Sequence, residues 1–172
     1  FVEPGTGTSD LAAEAARRAL ADAGKAADDV DFVIVATISS DYMFPGCAVQ
    51  IQDRLGMKTV AAMDVRNACS GFLYALATAD AFVRAGSYRC VLVIGVEIQS
   101  TGLNLTTAGR DMAVLFGDGA GAVVLEPSPD ERGILACALH SEGRHAEELW
   151  AEAPTSKVMG RLTHEMLDEG RQ

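Results

Sequence analysis

Cys69 stands in Asn67-Ala68-Cys69-Ser70-Gly71-Phe72, where a strand-like run, Val60–Val65, gives way to a helical pattern, Ser70–Ala85. A cysteine at that junction lies at a helix N-terminus, where unpaired backbone N–H groups and the helix dipole favour an anionic sulfur. Its neighbours Ala68, Ser70 and Gly71 are small, so a substrate can come close to the sulfur. That is how a nucleophile is displayed at a strand-to-helix elbow. The same residue types also suit a buried cysteine that merely begins a core helix. Position and composition leave both readings open.

The other chemistry-bearing residues give weaker signals. Gly117-x-Gly119-x-Gly121 suggests a nucleotide loop, but Ala122-Val-Val-Leu125 continues as a strand where a dinucleotide fingerprint needs a helix. The segment is expected to be a tight strand-to-strand turn, with Asp118 bonding local backbone. Of the four cysteines, Cys47, Cys90 and Cys137 are expected as small buried residues. There is no CxxC and no His at metal-ligand spacing, so neither a metal site nor a disulfide framework is expected. His140 ends a strand-like run, His145 sits in a charged stretch and His164 lies on a polar helical patch. None has a catalytic setting.

The elements that must carry Cys69 alternate. Thr8–Ala23 is helical, with Ser9 as N-cap, Leu11, Ala12, Ala15, Ala16, Ala19 and Leu20 on one face, and Glu14 and Arg18 paired on the other. Asp31–Thr37 is an apolar, β-branched run suited to a strand covered on both faces. Pro45–Leu55 reads as helix, Val60–Val65 as strand, Ser70–Ala85 as helix and Cys90–Val96 as strand. Such alternation implies βαβ crossovers in a layered α/β domain. A polar loop, Glu97–Asp111, then leads through Met112–Phe116 to Ala122–Leu125 and Ile134–Leu139, a strand-rich segment expected to be partly antiparallel. The tail from Glu142 onward is charged, with Trp150 as its one large anchor.

The chain of 172 residues carries 14 Lys+Arg against 24 Asp+Glu, a formal charge of −10. That balance argues against a nucleic-acid surface, which needs clustered cations. No apolar run approaches the ~20 residues needed to span a bilayer, and no signal peptide opens the chain. A reducing cytoplasm is therefore expected.

Asp64-Val65-x-x-Ala68-Cys69-Ser70-Gly71-Phe72 and Phe116-Gly117-Asp118-Gly119-Ala120-Gly121-Ala122 closely resemble the β-ketoacyl-[acyl carrier protein] synthase III family of the thiolase superfamily. Phe44-Pro45-x-x-Ala48-x-Gln50 and His140-Ser141-x-Gly143 also match, in family order. The resemblance implies a thiolase-like mixed sheet with βαβ crossovers, N-terminal half only. It places an N-terminal domain at residues 1–141 without its first strand, and a charged connecting segment at 142–172 toward an absent C-terminal half. The missing initiator Met fits a chain that begins inside a longer one.

The implied activity is a decarboxylative Claisen condensation that starts fatty-acid synthesis. Cys69 matches the nucleophile, acylated by an acyl-CoA primer; malonyl-[acyl carrier protein] then loses CO₂ and its carbanion takes the acyl group. Both thioesters are substrates, and no cofactor is implied. Phe44 matches a residue that bounds the partner's acyl pocket in a homodimer, Phe116 a residue lining the pocket, and Arg110 one that packs on the adenine of CoA. The sequence departs from the family in its long Glu97–Asp111 loop and in Gly109-Arg110-Asp111, which replaces a commoner Asp-Arg pairing. The family's decarboxylating His and Asn match nothing here, so these 172 residues are not expected to turn over alone. Two rival readings are another condensing enzyme or thiolase using the same elbow, and a catalytically silent dimerising scaffold.

Overall fold

The computed structural model describes residues 1–130, 132–158 and 162–169. Packing divides the chain into two compact units, Phe1–Cys137 and Ala138–Gln172.

The first unit begins with α1 (Thr8–Asp22), β1 (Phe32–Ala36), α2 (Cys47–Arg54) and β2 (Ala61–Val65). It continues with α3 (Gly71–Arg84), β3 (Val91–Ile98), the one-turn α4 (Arg110–Ala113) and β4 (Asp118–Leu125). The sheet order is β2-β1-β3-β4. β1 pairs parallel with both β2 and β3, and β4 pairs antiparallel with β3.

All five residues of β1 are buried, as expected of a strand covered on both faces. Its alternation distributes them. Val33 and Val35 join Leu92 and Ile94 of β3 against Ala12, Ala16 and Leu20 of α1 and Ile51 of α2. Phe32, Ile34 and Ala36 face the other way, with Val91 and Val93, onto Ala75 and Ala79 of α3. Each fully buried Val or Ile side chain contributes roughly 1.5–3 kcal/mol of transfer free energy. At the sheet's lower end Phe32, Phe82 and Tyr88 form a ring cluster with centroids 4.6–5.5 Å apart.

Several expectations need correction. Gly117–Gly121 is not a strand-to-strand turn: β4 starts at Asp118 and runs through both later glycines, setting Gly119 opposite Glu97 and Gly121 opposite Gly95. The residues alternate between half-buried and exposed, with Asp118, Ala120 and Ala122 inward. Small side chains concealed this period of two. Asp118 does not bond local backbone; it accepts N–H groups from Val2, Gln99 and Ser100. Ile134–Leu139 forms no strand, and Cys137 is exposed instead of buried. No described strand pairs with that run. Met112–Phe116 contains the end of α4 and a turn, with Val114 81% exposed. β3 extends past the expected loop start to Ile98, because β4 continues to pair with it.

The N-cap of α1 is Gly7, not Ser9. Asp10 accepts the Gly7 N–H at 2.9 Å, and Asp41, 32 residues downstream of Ser9, accepts the Ser9 N–H at 2.9 Å. In the second unit a 3₁₀ turn spans Gly143–His145 and α5 spans His164–Asp168, capped by Thr163 Oγ1 accepting the Met166 N–H at 3.2 Å. Trp150, expected as an anchor, is half exposed. His140 ends no strand.

Candidate active site

β2 delivers the chain to Cys69. After Val65 the backbone passes Asn67 and enters Ala68 at φ +45°, the one non-glycine residue with positive φ among those described. This is the left-handed region that an Ala enters at a cost of roughly 1–2 kcal/mol. A 3₁₀ turn, Ala68–Ser70, follows and runs into α3 at Gly71. Ser70 Oγ–H donates to the Asn67 carbonyl at 3.0 Å and accepts Asn67 Nδ2–H at 3.2 Å. The elbow is thus bent at Ala68 and tied across by Asn67 and Ser70. Cys69, on the turn itself, is exposed.

Cys69 opens onto a groove of about 470 Å³ whose walls include Ile38, Phe72, Glu97 and Phe116. The Gly117–Gly121 backbone lines one side. Phe72, in the first turn of α3, lies across Gly95 of β3; a Cβ at position 95 would meet its ring at 3.1 Å. Phe72 lines the same groove as Cys69.

The polar groups of the groove are held from below. Glu97 accepts the Ile38 N–H at 2.9 Å and Ser39 Oγ–H at 2.5 Å. Asp118 takes the Gln99 and Ser100 N–H groups on one oxygen and the Val2 N–H on the other, at 2.8–2.9 Å. Desolvation pushes the Asp118 carboxyl up, but the donors at Ser100, Val2 and Gln99 outweigh it and hold it at about 2. None of the residues lining the groove is Lys, Arg or His. Among the described residues no group of three or more His, Cys, Asp or Glu is placed to hold a metal ion. No described helix is long and apolar enough to cross a membrane.

Of the four site residues expected from sequence, the fold brings Cys69 and Phe116 to one groove. Phe44 lies outside it, 80% exposed on the connection between β1 and α2. Arg110 also lies outside, at the start of α4, with a largely exposed guanidinium 3.5 Å from Asp111. Sequence reasoning passed over Glu97 and Ile38. The available signal was a single carboxylate in the apolar run ending at Ile98, a charge that a buried strand keeps only where donors meet it. Cys47 is buried, and burial together with the adjacent Asp41 carboxylate pushes its thiol up to about 12.

The profile of the family described as 3-oxoacyl-[acyl-carrier-protein (ACP)] synthase III matches residues 63–143, which contain Cys69, Arg110 and Phe116. The beta-ketoacyl-[acyl-carrier-protein] synthase III of Bordetella petrii is 56% identical over 151 residues, 88% of this chain and 45% of that protein. That of Rhodospirillum rubrum is 48% identical over 170 residues, 95% of this chain and 52% of its own. Among solved structures, the synthase III of Thermus thermophilus superposes with a TM-score of 0.83 at 36% identity, covering 92% of this chain and 49% of that one. The Aquifex aeolicus enzyme gives 0.79 at 40% identity, over 84% and 46%. The chain spans about half the length of the relatives it matches.

The parallel strands, the antiparallel β4 and these neighbours define a mixed α/β domain of thiolase-like fold. The chain belongs to the 3-oxoacyl-[acyl-carrier-protein] synthase III family.

Proposed function

We propose that this chain carries the acyl-accepting cysteine of a 3-oxoacyl-[acyl carrier protein] synthase III. The single observation that supports this most is Cys69 exposed at a bent strand-to-helix elbow, facing a groove it shares with Phe116. The Cys69 thiolate attacks the thioester carbonyl of an acyl-CoA. A sulfur–carbon bond forms, the bond to CoA breaks, and CoA leaves as its thiolate, taking a proton from solvent. The Cys69 backbone N–H at the head of α3 is a donor for the oxyanion of that addition.

In the second half-reaction malonyl-[acyl carrier protein] loses CO₂. Its carbanion attacks the acyl carbonyl, the new carbon–carbon bond replaces the bond to Cys69, and a 3-oxoacyl thioester leaves. Electrons balance within the two thioesters, so the reaction needs no cofactor. The exposed Arg110 guanidinium is suited to stack on the adenine of CoA, and the exposed Phe44 to reach a second copy's pocket in a homodimer. The partners are acyl-CoA and acyl carrier protein, and the compartment is the cytoplasm.

Incubation of the full-length protein that carries this chain with acetyl-CoA or another short acyl-CoA, followed by intact-mass measurement and peptide mapping, tests the first half-reaction. One acyl group on Cys69 is the expected result. Acyl mass on another residue, or none with any primer, overturns the reading.

A further inference from the structure

Glu97 of β3 ties that strand to the turn that follows β1, at the Cys69 groove. It projects from β3, half-buried, and accepts the Ile38 N–H at 2.9 Å and Ser39 Oγ–H at 2.5 Å. Thr37 Oγ1 and Gln99 Nε2 lie at 3.4 Å from its second oxygen. Ser39 is fixed from two further sides: its Oγ accepts the Ile98 N–H at 2.9 Å, and its carbonyl accepts Thr8 Oγ1–H from the first turn of α1 at 2.5 Å. None of these partners of Glu97 is a cation; its charge is solvated by neutral N–H and O–H donors, most of them from the 37–39 turn. Such charge-assisted bonds are about twice as strong as neutral ones. The turn has no regular strand or helix to hold it. Between two residues of that turn bound to Glu97 sits Ile38, whose side chain, 38% exposed, lines the groove with Phe116.

We infer that Glu97 is a positioning residue that clamps the Thr37–Ser39 turn, so that Ile38 forms a fixed wall and sets the width of the group that can reach Cys69. On the function proposed above, that group is the acyl chain, and the clamp is then a determinant of primer choice. The wall itself is independent of what is transferred.

The test uses the full chain with Cys137→Ala, which leaves Cys69 as the sole exposed thiol. Rates of Cys69 alkylation are measured with iodoacetamide, N-methylmaleimide and N-cyclohexylmaleimide, separating maximal rate from half-saturation. Glu97→Ala is expected to raise the cyclohexyl-to-methyl rate ratio by roughly fivefold, through half-saturation, because a loosened wall admits the bulkier group. Glu97→Gln, which keeps an acceptor for the Ile38 N–H, is expected to stay near the parent ratio. If Glu97→Ala fails to fold by circular dichroism, Ser39→Ala, which removes one donor to the clamp, takes its place with the same expected direction. An unchanged ratio in the folded variant overturns the inference. So does an equal change with all three reagents, which reports altered sulfur exposure instead of a moved wall. Acylation of the full-length protein by acyl-CoA, measured in parallel, separates the two proposals: a shifted maleimide ratio without acylation keeps the clamp and discards the acyl-transfer reading.

Discussion

Asp64, in the strand that leads to Cys69, holds the N-terminus of α2: its carboxylate accepts the Cys47 N–H at 2.6 Å and the Ala48 N–H at 3.2 Å. The approach is so close that a Cβ at Gly46 would lie 2.1 Å from the Asp64 oxygen. One side chain therefore ties the helix between β1 and β2 to the strand that presents the elbow. Asp64→Ala is expected to destabilise the chain by about 1–2 kcal/mol, the usual cost of losing a cap. Gly46→Ala should act in the same direction by expelling the carboxylate. Urea midpoints of the two variants against the parent measure both.

Ala68 at φ +45° makes the elbow sensitive to side-chain shape. Ala68→Gly relieves the left-handed strain but gains freedom in the unfolded chain, so its net effect is expected to be within about 1 kcal/mol and stabilising. Ala68→Val, β-branched at the same φ, should cost about 2 kcal/mol and slow alkylation of Cys69. Thermal unfolding and iodoacetamide kinetics on the three proteins decide it.

The four thiols divide by burial. Cys69 and Cys137 are exposed, Cys47 and Cys90 buried. A disulfide reagent should titrate Cys69 and Cys137 in the folded chain and the other two only after denaturation, with mass mapping to assign the sites. Cys47 also predicts an alkaline effect. Its folded pKa, raised from 9.0 to about 12 by burial and then by Asp41, gives stability that is full below pH 9. That stability is lost as pH rises toward 12, because only the unfolded thiol ionises there. Cys47→Ala should flatten the decline in urea midpoint across that interval.

Asp118 predicts the opposite limb. Desolvation raises its carboxyl, and the N–H groups of Ser100, Val2 and Gln99 more than offset this, bringing it from 3.8 to about 2. A depressed carboxylate stabilises the fold above its unfolded pKa and loses that contribution as pH falls through the folded value. Urea midpoints should therefore drop between pH 4 and about 2, and Asp118→Asn should shed up to about one proton of that dependence. An identical acid limb in the variant would show that Asp118 carries none of it.

Much of the first unit was legible in the chain because its signals are local. The β-branched runs around Val33–Val35 and Val91–Ile94 are buried on both faces, and the helices beginning near Thr8, Cys47 and Gly71 have apolar faces at helical spacing. The start of β4, Asp118–Gly121, reads as a turn because Gly119, Ala120 and Gly121 have too little side chain to display the alternation their register imposes, whereas Ala122–Leu125 reads correctly as strand. Ile134–Leu139 erred the other way: an apolar run has strand propensity, but a strand exists only where another strand meets its N–H and C=O groups.

The candidate site divides along the same line. Residue type and order determined that a cysteine with small neighbours stands between a strand and a helix, since both elements follow from patterns a few residues long. Only the tertiary structure decided that Ile38, Glu97 and Phe116 share a groove with that cysteine, for they lie 31, 28 and 47 residues from it along the chain. Sheet order brings them together by placing β1 between β2 and β3 and folding β4 back on β3. The physical reason is that strand pairing and burial are satisfied between distant segments, and no local pattern states which carboxylate will meet which turn.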